Sequence, residues 1–250
     1  MYNIMISQVA AIAVFLILNL AAGVTWWGAL LIALPVFVGS FYLIARLVMK
    51  KVTAVMETAA RDLQGQRLEK AIREMQGAFK YGKWQFTVTG QINAQIGMVY
   101  YMKRDFATAF PYLEKAFVKN WAAMGMLAIS YMKRNKNDKM RETFEKAVQA
   151  SPKEPLLWNL YAYCLVETGD QSKALEVLAK GLKKIPGEER LKSNMDALRE
   201  GKKMKMKSFG DMWLQFHLER PNVVMKQQAA AMGGGMKRRI ITLEIGRAHV

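Results

Sequence analysis

No charged side chain occurs before Arg46, and that absence limits what the first part of this chain can become more than any other feature. Two apolar stretches fill it, Ile4 to Ala22 and Trp26 to Val48. Each is long enough, as a helix rising ~1.5 Å per residue, to cross a hydrocarbon layer about 30 Å thick. A helix satisfies every backbone N–H and C=O within its own segment, which lipid requires. Gly23-Val24-Thr25 separates the two stretches, Trp26 and Trp27 suit a membrane interface, and Pro35 is compatible with a kinked spanning helix. The pattern predicts a two-helix transmembrane hairpin over residues 1–49, with spans at 4–22 and 26–48. A cleaved signal peptide is the competing reading of the first stretch, but no Lys or Arg precedes it, and the second stretch would remain as an anchor. Two buried core helices fit poorly, because stretches of this length lack a polar face.

Basic residues crowd the far end of the second stretch: Arg46, Lys50 and Lys51, then Arg61, Arg67, Lys70 and Arg73. The positive-inside tendency keeps this end in the cytoplasm, and a two-span hairpin returns the N-terminus to the same side. The expected location is therefore a bacterial cytoplasmic membrane, with most of the chain at its inner face. Every charged residue except Arg46 lies beyond the hairpin, so the soluble part carries nearly the whole net charge of +17. A field of that sign favours anionic partners, the nearest being headgroups of the bilayer itself. Cys164 is the single cysteine, which excludes an intramolecular disulfide framework and fits a reducing compartment.

The soluble part is internally repetitive. Phe144, Ala147, Val148 and Pro152 are answered 34 residues later by Leu178, Gly181, Leu182 and Pro186. A small residue follows three after a large apolar one, and a proline five further on. The clearest copy starts at Pro155, with Trp158, Tyr161, Ala162 and Leu165, a Gly169-Asp170 turn, then Ala174, Leu178, Gly181 and Pro186. The copy before it has Met124, Leu127, Ala128 and Tyr131, then Met140, Phe144, Ala147 and Pro152. Its turn, Arg134 to Asp138, has Asn where glycine is usual, and Asn tolerates left-handed backbone. This period and these positions resemble the tetratricopeptide repeat. An earlier copy, with Gly97, Tyr100, Ala109, Leu113 and Ala116 in phase, falls about three residues short before Trp121. Ala71, Met75 and Ala78 look like the second helix of a degenerate repeat, and Leu191, Met195 and Leu198 like a capping helix.

The expected fold is all-α: the hairpin, a juxtamembrane helix and degenerate repeat at 50–89, and a solenoid at 90–201. Its repeats fall at about 90–120, 121–154 and 155–188 and end in a cap. A basic, partly low-complexity tail follows at 202–244. The last residues, Ile245 to Val250, resemble a translated sequencing-adapter oligonucleotide, so they are set aside and the natural C-terminus is expected to differ.

Nothing in the residues builds a catalytic centre. His217 and His249 are the two histidines, the second within the suspect tail, and His217 lies between Phe216 and Leu218 with no partner pattern. Cys164, within a repeat helix, reads as a small buried residue. Gly233-Gly234-Gly235 lacks the strand-turn-helix setting of a phosphate loop, no metal-ligand spacing appears, and no cofactor is expected. The family resemblance points instead to a concave groove lined by the first helices. Those positions fall on Gln91, Gln95, Met98, Tyr101, Met126, Ile129, Lys133, Asn159, Tyr163 and Glu167. The Lys/Asn clamp some members use for a peptide carboxylate is replaced here by Ala94 and Met98. What remains is a methionine-bearing apolar surface suited to a helix or extended segment of a protein partner, with packing between repeats as the alternative use.

Two further elements admit more than one use. Lys202, Lys203, Lys205 and Lys207 alternate with Met204 and Met206, and Lys237-Arg238-Arg239 lies further on. With Lys50 and Lys51 the first four read as anionic-lipid contacts, as a solvated charge run, or less readily as nucleic-acid contacts. Phe209 to Leu218 is aromatic and reads as a packed helix or a docking element. The function expected is a membrane-anchored scaffold or adaptor without catalysis. The alternatives are a structural subunit acting through its spans and a basic-tail nucleic-acid tether.

Overall fold

A computed structural model describes residues 1–219. Lys237-Arg238-Arg239, Gly233-Gly234-Gly235, His249 and Ile245 to Val250 lie outside the described residues. Helix α1 (Tyr2–Leu16) ends in a π-helical turn at Ile17–Ala21. Gly23, at φ 64°, and a bond from Asn19 Nδ2 to the Val24 carbonyl (3.1 Å) turn the chain into α2 (Trp26–Gln64). The two pack antiparallel. Ala29 and Ala33, four apart, are buried on α2, as are Asn3 and Ser7 on α1. Small side chains at such spacing let two helices approach without a hydrophobic driving force, and Asn3 Nδ2 reaches the Phe41 carbonyl at 3.4 Å. Most large apolar side chains of the hairpin point outward, including Val9, Ile12, Leu20, Leu31, Leu34 and Leu47. Both helices are long and apolar enough to cross a membrane.

Helix α2 has 39 residues and, at ~1.5 Å per residue, is about 58 Å long. It continues unbroken through Pro35 and on past Lys50 and Lys51. The expected separate juxtamembrane helix is therefore the second half of α2, since no Gly or Pro interrupts Val48 to Gln64. That half belongs to the soluble domain: Val48, Val52 and Ala59 are buried with Ala71, Ile72 and Met75 of α3 (Leu68–Gly77) and with Val88, Ile92 and Ile96 of α4 (Phe86–Met102). The residues read as a lone second helix, Ala71, Met75 and Ala78, thus have the end of α2 as their first-helix partner. Buried Asp62 fixes the turn between them. Its carboxylate meets Arg67 at 3.1 Å and Lys70 at 3.2 Å.

The array continues in helix pairs: α4 with α5 (Phe106–Leu113), α6 (Trp121–Lys133) with α7 (Asn137–Ala150), α8 (Pro155–Glu167) with α9 (Gln171–Lys184), then α10 (Glu189–Arg199). One local device makes the turn within each pair and also ends α10. Gln66, Arg104, Asn135, Gly169 and Gly201 each adopt positive φ. The next N–H then bonds the carbonyl five residues back: Arg67 to Asp62, Asp105 to Tyr100, Lys136 to Tyr131, Asp170 to Leu165 and Lys202 to Ala197, at 2.8–3.0 Å. Asn135 takes the left-handed position as its residue type suggested, whereas Gln66 and Arg104 do so without any such signal. Asp105 and Asp170 then cap the helices after them by accepting from Thr108 N and Lys173 N. The turn residues Arg104 and Asn135 are 31 apart, against 34 for Asn135 and Gly169. The short copy loses its residues from α5, which has 8 residues and contains Pro111, against 14 in α7 and in α9. The first helix of that copy opens at Phe86, ahead of Gln91.

Within each pair the helices touch through small residues. A Cβ on Gly181 would stand 2.9 Å from Trp158 Cγ, while Trp158 is held by its own bond from Nε1 to the Pro152 carbonyl at 2.9 Å. The indole cannot retreat without breaking that bond. Gly181→Ala is expected to destabilise the protein by about 1–3 kcal/mol through overpacking, measured by chemical denaturation in detergent. An unchanged midpoint would contradict this packing.

Candidate functional site

Successive first helices α4, α6, α8 and α10 line the inner face of the array, and the predicted groove positions are carried by α4, α6 and α8. They are not open to solvent throughout. Tyr101, Met126, Ile129 and Asn159 are buried, Gln91, Met98 and Tyr163 are half-buried, and Gln95, Lys133 and Glu167 are exposed or partly so. The cover is the chain itself. After Gly201 turns the end of α10, residues 204–218 run back across the inner face in the direction opposite to the repeats.

Contacts along that path succeed one another in order. At α10, Asn194 Oδ1 accepts from Lys205 N (2.6 Å) and Asn194 Nδ2 donates to Asn159 Oδ1 of α8 (2.7 Å). Asn159, expected to face a partner, instead joins a buried polar link between two first helices, its own Nδ2 donating to the Pro155 carbonyl at 2.8 Å. A 3-10 turn at Met206–Phe209 buries both of its end residues. Gly210, at φ 58°, redirects the chain into a one-turn helix, α11 (Asp211–Leu214), whose Trp213 meets the Tyr163 ring edge-on at 4.9 Å. Phe216 then reaches α6. It lies 6.4 Å from the Trp121 ring, and one of its ring carbons would be 3.2 Å from a Cβ on Gly125. At α4, Tyr101 Oη donates to the Phe216 carbonyl at 3.0 Å, and the His217 ring stacks on Tyr101 at 5.7 Å.

The covering segment explains the alternation of lysine with methionine. Met204 is half-buried and Met206 buried, whereas Lys202, Lys203, Lys205 and Lys207 are exposed, Lys202 paired with Glu200 at 2.6 Å. From sequence this segment reads as either a packed helix or a docking element. The signal for its path is the spacing of Met206, Phe209, Trp213 and Phe216, three, four and three residues apart, which places one apolar face along a surface.

Two cavities open among these helices, and the second includes His217 of the segment. One, of about 440 Å³, lies between Val52 and Met56 of α2 and Gln91, Gln95 and Trp121 of the inner face. The other, of about 310 Å³, lies where the segment reaches α4. It is lined by Tyr101, Phe106, Ser130 and His217 together with Arg104, Lys133 and Arg134, a wall with three cations and no carboxylate. Arg134 is oriented by the Phe110 ring, 3.5 Å from its guanidinium carbon. Burial pushes the Tyr101 phenol and the Cys164 thiol far up, so both are neutral packing groups. Burial and then the Glu167 carboxylate raise Tyr163 to about 12. Among the described residues no cluster of three or more His, Cys, Asp or Glu is placed to hold a metal.

The tetratricopeptide repeat family matches the chain at residues 122–154 and again at 141–198, which together span α6 to α10. Those helices are similar to tetratricopeptide repeats, and repeats of that kind generally bind proteins or peptides. No curated protein matches the chain.

Burial first, and the Arg104 cation second, lower the His217 pKa from its ordinary 6.5, while the Met102 and Tyr101 carbonyls oppose the shift. The folded state therefore takes up this proton less readily than the unfolded one. The resulting stability is present above the unfolded pKa and is lost as pH falls below it. Compared with a His217→Phe variant, the parent is expected to lose more stability between about pH 7.5 and about pH 5.5. Parallel losses in the two proteins would contradict the assignment.

Proposed function

We propose that this protein is a membrane-anchored scaffold or adaptor whose tetratricopeptide-like repeats hold a partner protein, for assembly or localisation, at the cytoplasmic face of a bacterial-type membrane. The observation that carries the reading is that one inner face, built from four successive first helices, accommodates a peptide segment through apolar side chains and polar bonds. A surface of that shape and chemistry suits a partner segment. The groove positions Gln91, Gln95, Met98, Tyr101, Met126, Ile129, Lys133, Asn159, Tyr163 and Glu167 would supply selectivity, the outer ones by direct contact and the buried ones as a floor.

Anchoring is supported by the outward-facing apolar side chains of α1 and α2 and by Arg46, Lys50 and Lys51 after the second span. Lys50 and Lys51 would meet anionic headgroups, with Lys202, Lys203, Lys205 and Lys207 adding to that adhesion. Because α2 is continuous, the tether would be stiff and would raise the local concentration of partner at the membrane.

The protein is expected to stay with the membrane fraction after alkaline carbonate washing, and its release would contradict the anchor. A photo-crosslinking residue at Gln95 or Lys133 is expected to capture the same partner after the α1–α2 spans are exchanged for an unrelated two-span anchor. Capture confined to hairpin positions and abolished by the exchange would instead make the protein an integral subunit that acts through its spans.

A further inference from the structure

We propose that residues 204–218 are a displaceable occupant of the inner face. The partner they give way to is an acidic protein segment with large apolar side chains spaced like Met206, Phe209, Trp213 and Phe216. This rests on the reading of the inner face as a partner site, and it names the chemistry of that partner.

Three observations lead to it. First, the occupant is held as a peptide ligand is held, by side chains in sequence and few main-chain bonds. Met206, Phe209, Trp213 and Phe216 are buried, while the backbone is anchored at its two ends, by Asn194 on Lys205 N and by Tyr101 on the Phe216 carbonyl. Between these ends it is a 3-10 turn and one turn of helix, so it lacks the long helical frame that binds α3, α7 or α9 into the array. Second, its attachment to α10 is an exposed stretch, Glu200 to Lys203. So short a tether gives an effective concentration on the order of millimolar, which keeps weak or unrelated segments out.

Third, among the described residues, the occupant gives no carboxylate to a group of three cations on the face. The cavity where the segment reaches α4 presents Arg104, Lys133 and Arg134. The one carboxylate within 204–218, Asp211, does not line that cavity, and Glu219 just beyond the occupant accepts from Trp213 Nε1 at 2.9 Å. A partner with the same apolar spacing and an acidic continuation would match the occupant along the groove and gain those cations in addition, which is how it would displace a tethered competitor. Charge complementarity at this end also sets the polarity of the partner: its acidic end lies at α4, as the end of the occupant does.

The test uses full-length protein in nanodiscs and two labelled synthetic peptides, read by fluorescence anisotropy. One peptide carries residues 204–217, and the other carries the same residues extended by three aspartates. The parent is expected to bind the acidic peptide at least ten-fold more tightly than the plain one. Arg104→Glu with Lys133→Glu is expected to remove that preference. Trp213→Ala with Phe216→Ala, which empties the groove, is expected to tighten both peptides at least ten-fold. Equal binding of the peptides, or equal binding by parent and emptied variant, overturns the proposal.

If the emptied variant loses its helical circular dichroism, a protease site inserted after Lys203 provides the second measurement, because a cut there leaves the side-chain contacts of 204–218 in place. The cut segment is expected to exchange with labelled peptide. A cut segment that cannot be exchanged makes 204–218 a permanent part of the fold and overturns the proposal, as does exchange only between two copies in a dimer. Purified protein and synthetic peptide need neither cellular partner nor membrane localisation. A failure here therefore leaves the crosslinking test of the scaffold reading standing on its own.

Discussion

An apolar inner face has to be covered, and most of what is distinctive in this protein depends on how that is done. Stacked helical hairpins bury one side of each first helix between repeats and turn another side inward. Here that inward side carries Tyr101, Met126, Ile129 and Tyr163, and leaving such groups in water costs about 1.5–3 kcal/mol for each large side chain. The chain meets the constraint with its own residues. Met206, Phe209, Trp213 and Phe216 fill the face, and the buried link Asn159–Asn194 satisfies the polar groups that would otherwise be stranded beneath them. The turn at Gly201 is the pivot. The hydrogen bond that closes each helical hairpin here also closes α10, but the chain beyond Gly201 enters the groove instead of forming another second helix.

The same economy joins the apolar hairpin to the helix pairs. Helix α2 serves as the second apolar helix of the hairpin and, through Val48, Val52 and Ala59, as a wall of the first helix pair. Asp62 with Arg67 and Lys70 fixes where that helix stops and α3 begins. Removing one partner from a buried ion group is more costly than an exposed pair would suggest, because the remaining charge stays desolvated. The array is therefore continuous with α2 instead of hanging from it on a loop. Tyr2, at the start of α1, closes the junction by meeting Trp84 edge-on at 5.6 Å.

Much of this was legible in residue type and spacing, and the parts that were not have physical reasons. The two apolar helices followed from the absence of charge before Arg46, and the helix pairs from small residues and prolines recurring at a fixed period. Asn135 was readable as a turn residue because Asn tolerates left-handed backbone. Gln66 and Arg104 were not, because the hydrogen bonds of the turn, and not their own preference, hold them there. The groove positions follow from the repeat pattern, yet their exposure could not be read. Exposure depends on a segment more than a hundred residues from Tyr101 in sequence, joined to it by a bond to the Phe216 carbonyl. The Lys/Met alternation at 202–207 suggested a charged surface, but only the path of the chain shows that its methionine side faces the repeats.

The central claim is that the chain's own residues close its inner face, and fluorine NMR at Trp213 tests it most directly. Full-length protein labelled with 5-fluorotryptophan in nanodiscs, with the resonance assigned by Trp213→Phe, gives one signal from the middle of the covering segment. A docked segment predicts a resonance with almost no shift between H₂O and D₂O, as expected for an indole buried against Tyr163. A resonance with the full solvent isotope shift of an exposed indole would mean that the segment lies free and the groove stands open.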